Sequence, residues 1–334
     1  MSDIYDKVTL RQIQIFLTVV EHRSFFRAAA QLQLTPPAIS MQMSRLSETL
    51  GAPLFDKDGR SIQLTPAATA LIPFAERMTE SLREACSVID ALQGKLDGLV
   101  RVAMVTTSRN FGPHLLQAFS RLHPEIVFET TIANRSGVIE KLETHHIDIA
   151  LMGRPPQRIE VDATPFAKHP YVLIGHPDHP LNKLNWISRK ELTKHPFLVR
   201  EEGSGTRMVH DHYFLSENLP LPKAQVMDSN ENIKQAVMAG MGLAFISAHT
   251  VALERQTGKL AILIAEGMPA MRDWFVLHIK GKRLSPAAES FKAFLRDEGR
   301  GFIRRFFGEE PEAHQARQQA NRSSTRHARP SRLP

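Results

Sequence analysis

TLRQIQIFLTVVEHRSFFRAAAQLQLTPPAISMQMSRLSETLGAPLFDKDGRSIQLTP, residues 9–66, decides the architecture of the first part of the chain. Thr9 stands as an N-cap before Leu10, Ile13, Phe16, Leu17 and Val20, which recur at helical spacing and make one amphipathic face. Ser24 caps a second, short helix from Phe25 to Leu32, in which Ala28 and Ala29 are small enough for another helix to cross closely. After the turn Gln33-Leu34, Thr35 caps a third helix. Pro36 and Pro37 fall at its first two positions, where a backbone N–H has no intrahelical partner to lose. Ile39, Met43, Leu46 and Leu50 step along its buried stripe. The opposite face carries Pro37, Met41, Ser44, Arg45 and Glu48, with Ser40 on the flank.

A small, mostly polar face with one cation suits a helix lying in a major groove. Its early residues, Thr35, Pro36, Pro37, Ser40, Met41 and Ser44, would then meet base edges, and Arg45 a phosphate. Asp58-Gly59 is a two-residue hairpin signal between Leu54-Phe55 and Ile62-Gln63-Leu64. It reads as a β-wing with Arg60 at the tip, in reach of the backbone or minor groove. The same pattern fits a three-helix bundle that binds no nucleic acid. The region offers no zinc-ligand set and no aromatic stacking platform.

The segment from Val8 through this whole stretch resembles the helix-turn-helix signature of LysR-type transcriptional regulators. The resemblance implies a winged helix-turn-helix that binds double-stranded DNA. That family commonly has Gln where this chain has Pro36, so its base preference is not carried over.

After Pro66 no Gly appears before Leu92, and Pro73 is the single Pro. Leu71, Ala75, Met78, Leu82, Ala85, Ile89 and Leu92 alternate steps of four and three, the seam of a coiled coil. A helix packed on its own domain would show a similar stripe. Pairing between chains is favoured because one helix-turn-helix reads one half-site and a dimer reads two. The LysR resemblance implies a homodimer or homotetramer. Gly94 and Gly98 are expected to end this helix.

From Leu99 strands and helices alternate: strands over Val100–Val105, Ile126–Thr131 and Ile147–Met152, helices over Pro113–Leu122 and Gly137–Thr144. A second set starts at Tyr171 and includes strands at Phe197–Arg200, Ala224–Met227, Leu243–Ser247 and Ala261–Ile264. The chain then returns through a strand at Trp274–Ile279 and a helix at Pro286–Leu295. This rhythm predicts parallel strands with crossover helices, in an α/β, two-lobed fold like a periplasmic binding protein, with hinge passages near Pro170 and Met271. A ligand then belongs in the cleft at the strand ends. Thr106, Thr107 and Ser108, Asn134 and Arg135, and Arg154 stand at such ends in the first lobe. Arg200, the run Ser204-Gly205-Thr206-Arg207, and Asn230 stand at them in the second. Hydroxyl-rich helix starts and several arginines favour a phosphorylated or carboxylated ligand, although each residue alone fits a surface ion pair or a plain loop.

IALMGRPP, LVREEGSGTR and SNENIKQAVMAGMGLAFISAHTVALE look like the effector domain of the CbbR group, LysR-type regulators of RuBisCO operons. The resemblance spans roughly residues 8–300. It implies control of carbon-fixation genes by a small anionic effector, such as a phosphorylated sugar, phosphoenolpyruvate or NADPH, with no resident cofactor. RNA polymerase is a further partner that such a role implies.

The remaining features bound these readings. With 42 Lys and Arg against 35 Asp and Glu the chain is basic, but the excess is local. Residues 1–66 hold 7 cations against 6 acids, residues 67–279 hold 22 against 23, and residues 280–334 hold 13 against 6. Global charge is therefore no argument for DNA binding, which rests on the motif. Residues 308–334 are poor in apolar side chains and are expected to be a disordered basic tail. No apolar run approaches the roughly 20 residues of a membrane span, and no signal peptide opens the chain, so a cytoplasmic protein is expected. The lone Cys86 rules out an internal disulfide and reads as a packed small side chain. An exported solute-binding protein or an enzyme is the rival class. No nucleophile elbow, Walker loop or metal-spaced His cluster supports catalysis; His145-His146 and His176 with His179 read as structural or solvent-facing. The expected division is a DNA-binding domain over 1–66, a linker helix over 67–97, and an effector domain over 98–307. Its first lobe takes 98–170 and 272–307, and its second 171–271.

Overall fold

In a computed structural model the chain falls into two compact units, Met1–Lys95 and Leu96–Pro334. Within them the structure describes residues 7–58, 61–92 and 97–307. Arg60, Gly94 and the C-terminal tail lie outside the described residues.

The first unit runs α1 (Leu10–His22), α2 (Phe25–Leu32), α3 (Pro36–Leu50), β1 (Phe55–Asp58), β2 (Ser61–Leu64) and α4 (Pro66–Leu92). Thr9 and Gln12 form a reciprocal cap on α1. The Thr9 N–H donates to Gln12 Oε1 at 2.9 Å, and the Gln12 N–H donates to Thr9 Oγ1 at 3.2 Å. Such caps are worth about 1 kcal/mol. Arg23 and Gln33 take left-handed backbone and turn the chain sharply out of α1 and α2. Ser24 accepts from the Arg27 N–H, as its N-cap position predicts. Thr35 holds the N-cap of α3 but makes no side-chain cap bond. A cap hydroxyl accepts from the second or third N–H of its helix, and Pro37 removes the second.

Ile13, Phe16, Val19, Ala28, Ala29, Ile39, Met43 and Leu46 form one buried cluster. α4 starts inside that cluster: Ala68 and Ala75 are fully buried, with Leu71 and Ile72 packed beside them. Ala75 is thus taken up by its own unit rather than offered to a partner chain. Further along, Met78, Leu82 and Ile89 are 48%, 44% and 55% exposed, and Ala85 is exposed too. Cys86 lies on this open stretch, not packed as expected, because α4 has by then left the cluster that could cover it. The Leu92 side chain lies outside the described side chains.

The second unit contains β3 (Gly98–Val105), α5 (Gly112–Leu122), β4 (Ile126–Ala133), α6 (Arg135–Glu143), β5 (Ile149–Met152) and β6 (Val161–Gly175). It continues through α7 (Arg189–Leu192), β7 (Phe197–Arg200), α8 (Gly205–Leu215), β8 (Ala224–Met227), α9 (Asn230–Met238) and β9 (Ala244–Ser247). α10 (Ala252–Gln256), β10 (Ala261–Leu263), β11 (Ala270–Ile279) and α11 (Pro286–Phe307) complete it. β3 pairs in parallel with β4 and β5, and β7 with β8. The ladders of β11 with β5, and of β6 with β9, β10 and β11, are antiparallel, so the sheet is mixed rather than purely parallel. The two long strands cause this. β6 leaves the first lobe and β11 re-enters it, so they must run in opposite senses, and Pro170 faces Met271 in their register.

Each lobe buries apolar residues on both faces of its sheet. In the first, α5 and α11 pack on one side around Phe119, Trp274 and Phe291, and α6 on the other around Val138 and Leu142. In the second, Phe214 of α8 and Val237 of α9 belong to separate clusters. α11 runs twelve residues beyond the Leu295 end expected for it, through Gly299 and Gly301. Gly299 is required there, since a Cβ would lie 2.7 Å from the buried Phe166 ring.

Candidate functional site

A cleft of about 530 Å³ opens between the lobes of the second unit. Thr106 and Thr107 reach it from the end of β3, Arg135 from the start of α6, and Gly153, Arg154 and Pro155 from the loop after β5. Ser204, Gly205 and Thr206 bring the N-terminus of α8 to the facing wall. The hinge strands close the back with His169 and Tyr171 from β6 and Met271, Arg272 and Phe275 from β11. A helix start with its unpaired N–H groups and partial positive charge is suited to an anion.

Electrostatics point the same way. Arg135, Arg154 and Arg272 line the cleft, and the acidic lining residue, Asp273, is held by Lys168 at 2.9 Å. The Arg135 guanidinium donates to the carbonyls of Arg154 and Pro155, which fixes its plane. Burial, with the nearby Arg154 charge, lowers its pKa below the ordinary arginine value. An anion beside it would reverse that strain. Burial pushes the Tyr171 hydroxyl up to about 12, so it stays protonated and can donate. His169 is driven well below the usual imidazole range by burial, and neither ring nitrogen has a partner. It presents a neutral, unsatisfied ring. Gly153 makes room for it, because a Cβ there would lie 2.7 Å from His169 Nδ1.

Seven of the twelve residues expected at this site line it: Thr106, Thr107, Arg135, Arg154, Ser204, Gly205 and Thr206. The other five have different placements. Ser108 is buried and donates to the Val105 carbonyl. Arg207 is turned back on its own helix, bonded to Asp211 at 2.9 Å and to the Arg200 carbonyl at 3.3 Å. Asn134, Arg200 and Asn230 tie the lobes together instead of lining the cavity. Arg200, 1% exposed, bonds Glu201, Asn230 Oδ1 at 2.8 Å and, across the gap, Thr106 Oγ1 at 3.3 Å. Asn230 Nδ2 donates to Thr107 Oγ1 at 3.3 Å, and Asn134 Nδ2 donates to Glu201 Oε1 at 3.2 Å. Among the cleft residues not expected, His169, Tyr171, Met271, Arg272, Asp273 and Phe275 sit on the two hinge strands, and Met208, Val209 and His212 on α8. His169, Met271 and Arg272 fall in the stretches expected to be hinge passages, and Tyr171 and Phe275 near the starts of expected strands rather than at the C-terminal ends where a ligand is expected.

In the first unit, Thr35, Pro36, Pro37, Met41, Ser44, Arg45 and Glu48 are exposed along α3, and Ser40 is half-buried at their edge. They form one face opposite the packed Ile39, Met43 and Leu46. The β1–β2 hairpin pairs Asp58 with Ser61, as a two-residue connection requires. Among the described residues no helix is long and apolar enough to cross a membrane, and no cluster of His, Cys, Asp or Glu could hold a metal.

A winged helix-turn-helix carried on one chain with a two-lobed, arginine-lined cleft defines a ligand-responsive DNA-binding regulator. Residues 10–69 match the bacterial regulatory helix-turn-helix model of the lysR family, and residues 93–300 match the LysR substrate binding domain. The chain belongs to the LysR family of transcriptional regulators. It is 40% identical over 308 residues to the HTH-type transcriptional regulator CfxR of Cupriavidus necator, covering 92% of this chain and 97% of that one. It is 38% identical over 291 residues to the RuBisCO operon transcriptional regulator of Allochromatium vinosum, covering 87% and 96%. Among solved structures, the regulatory domain of Synechocystis PCC6803 CcmR in complex with 2-PG matches with a TM-score of 0.57 and 32% identity. That match covers 60% of this chain and 96% of the domain.

Proposed function

We propose that this chain regulates a carbon-fixation (RuBisCO) operon, and that a phosphorylated or carboxylated metabolite in the interlobe cleft sets its activity. The observation that carries the reading is the cleft itself. Three arginines and the start of α8 converge on a space whose one acidic residue is already paired. The relatives named for RuBisCO operon control and the 2-PG complex support the same assignment. Residues 1–66 serve as the DNA-binding domain, 67–97 as the linker and 98–307 as the effector domain. The exposed face of α3 enters the major groove, with Arg60 at the wing. Met78, Leu82, Ala85 and Ile89 pair α4 with a second copy, giving a homodimer or a dimer of dimers in the cytoplasm. RNA polymerase is the partner through which such a regulator acts, and no chemistry is catalysed.

The test is binding of the full chain to a labelled duplex from its own upstream region, read by anisotropy with and without 2-PG. Met41→Glu sets a carboxylate against the groove and should weaken binding by about 1–3 kcal/mol, or about 5- to 150-fold. 2-PG should alter the wild-type isotherm. Unchanged affinity in the variant refutes the groove assignment, and no preference for the upstream duplex over random sequence refutes the regulator reading.

A further inference from the structure

Alternation along β6 turns His169 and Tyr171 toward the cleft and Lys168 and Pro170 away from it. The His169 ring is 1% exposed and is held by two aromatic neighbours: Trp274 stacks on it with ring centres 3.9 Å apart, and Tyr171 leans on it at 4.4 Å. Its Nδ1–Cε1 edge abuts Gly153, where a Cβ would lie 2.7 and 3.1 Å from those two atoms. Neither ring nitrogen has a hydrogen-bond partner among the described residues. Buried polar atoms are almost always paired, and one left open costs free energy that a partner would restore. Packing does not call for a polar ring here, since a phenyl ring at 169 would also stack on Trp274 and carry no such cost. His210 and His278 each bury one unpartnered ring nitrogen too. In both, however, the other nitrogen lies against a carboxylate, Asp211 at 2.8 Å and Asp162 at 3.6 Å, and neither ring lines the cleft.

The groups around His169 are already engaged. Trp274 Nε1 donates to His249 Nδ1 at 3.2 Å, and burial pushes the His249 ring down to about 4, so it carries no charge near neutral pH. The Tyr171 hydroxyl is paired with the Thr206 side chain. Arg272, the ladder partner of His169, brings a cation to the same wall, and Asp273 next to it is held by Lys168 at 2.9 Å. His169 is therefore the unused polar group on a wall that carries a positive charge.

We propose that His169 is a specificity-determining residue of the effector cleft, its ring N–H donating to a carboxylate oxygen of a ligand whose phosphate is held by Arg135, Arg154 and the start of α8. The inference rests on the cleft being the effector site, and it narrows the ligand class to a small phosphorylated carboxylate rather than any phosphate ester. The two ends of such a ligand meet different elements. The phosphate meets the starts of α6 and α8 and the loop after β5; the carboxylate meets β6 and β11, beside Arg272. A phosphate ester without the carboxylate fills the arginine end and leaves the His169 ring unpaired.

The test is calorimetric titration of the full chain with 2-phosphoglycolate and with ethyl phosphate, which has a methyl group in place of the carboxylate. The wild type should bind 2-phosphoglycolate about tenfold or more tightly. His169→Phe and His169→Leu both fill the buried space without a polar atom. Either should lose most of that preference while binding ethyl phosphate within about twofold of the wild type. His169→Gln keeps a donor and should keep part of the preference. Equal wild-type affinity for the two ligands, a preference unchanged in the apolar variants, or an equal loss for both ligands overturns the His169 assignment. The cleft reading survives those outcomes as long as Arg135→Ala weakens binding. No binding of either ligand up to about 10 mM, or binding untouched by Arg135→Ala, removes the cleft reading and this inference with it.

Discussion

Asn230→Ala should destabilise the second unit by about 2–4 kcal/mol. The residue is 8% exposed and makes two bonds that Ala cannot. Its Oδ1 accepts from the Arg200 guanidinium at 2.8 Å, a charge-assisted bond worth about 1.5–3 kcal/mol. Its Nδ2 donates to Thr107 Oγ1 in the other lobe at 3.3 Å, a neutral bond worth about 0.5–1.5 kcal/mol. For a unit of this size each kcal/mol moves the midpoint by about 2–4 °C, so Tm should fall by about 5–15 °C. Thermal unfolding of the full chain, followed by near-UV circular dichroism of the buried Trp274, gives the number. Asn230→Asp keeps an acceptor for Arg200 and should recover most of the loss. Combining Asn230→Ala with Thr107→Val isolates the interlobe bond, and the coupling should be about 0.5–1.5 kcal/mol. A drop below about 2 °C, or no coupling with Thr107, would show that these bonds do not hold the lobes together.

Three further outcomes are expected. Arg135→Ala should weaken binding of an anionic effector about tenfold or more in a calorimetric titration. Arg207→Ala should not, because Arg207 is already bound to Asp211 on the far side of the α8 start. Leu82→Glu, on the exposed run of α4, should shift the chain toward monomer in sedimentation at micromolar concentration, whereas an unchanged mass would send the pairing surface elsewhere. Stability should fall as pH drops. His249 binds a proton near 6.5 when unfolded and only near 4 when folded, so its contribution is complete above pH 6.5 and is lost toward pH 4. Its full size is about 3 kcal/mol. His249→Gln, which can keep an acceptor for Trp274, should flatten the profile over that window in acid titrations of Tm.

The sequence was most informative where periodicity and caps agree. Thr9, Ser24 and the Ile39-Met43-Leu46 stripe mark α1 to α3 because local propensity and burial act on the same residues. In the cleft, reading strand ends found Arg135, Arg154 and the Ser204–Thr206 run, since a loop after a strand must open there whatever the side chains are. It misplaced Arg200 and Asn230 because a buried arginine that binds a ligand and one that bolts two lobes look alike in one dimension. Only the distance to Thr106 separates them. It overlooked His169 and Arg272 because β6 and β11 each serve both lobes, so their register across the boundary depends on contacts about a hundred residues apart, such as Lys168 with Asp273. The Ala75 assignment failed for a related reason: a heptad seam states which face of a helix is apolar, not which molecule covers it.

Pro170 and Met271 are ladder partners, so the two crossings between the lobes behave as one ribbon and not as two independent strings. A paired ribbon resists stretching and sideways slip, each of which breaks a row of hydrogen bonds, but it yields to torsion. Its register shifts between Trp274 and Phe275, and such irregularities favour local twist. A molecule settling between the lobes would therefore do its work mainly as rotation about that axis, with the parts of the domain far from the ribbon travelling farthest.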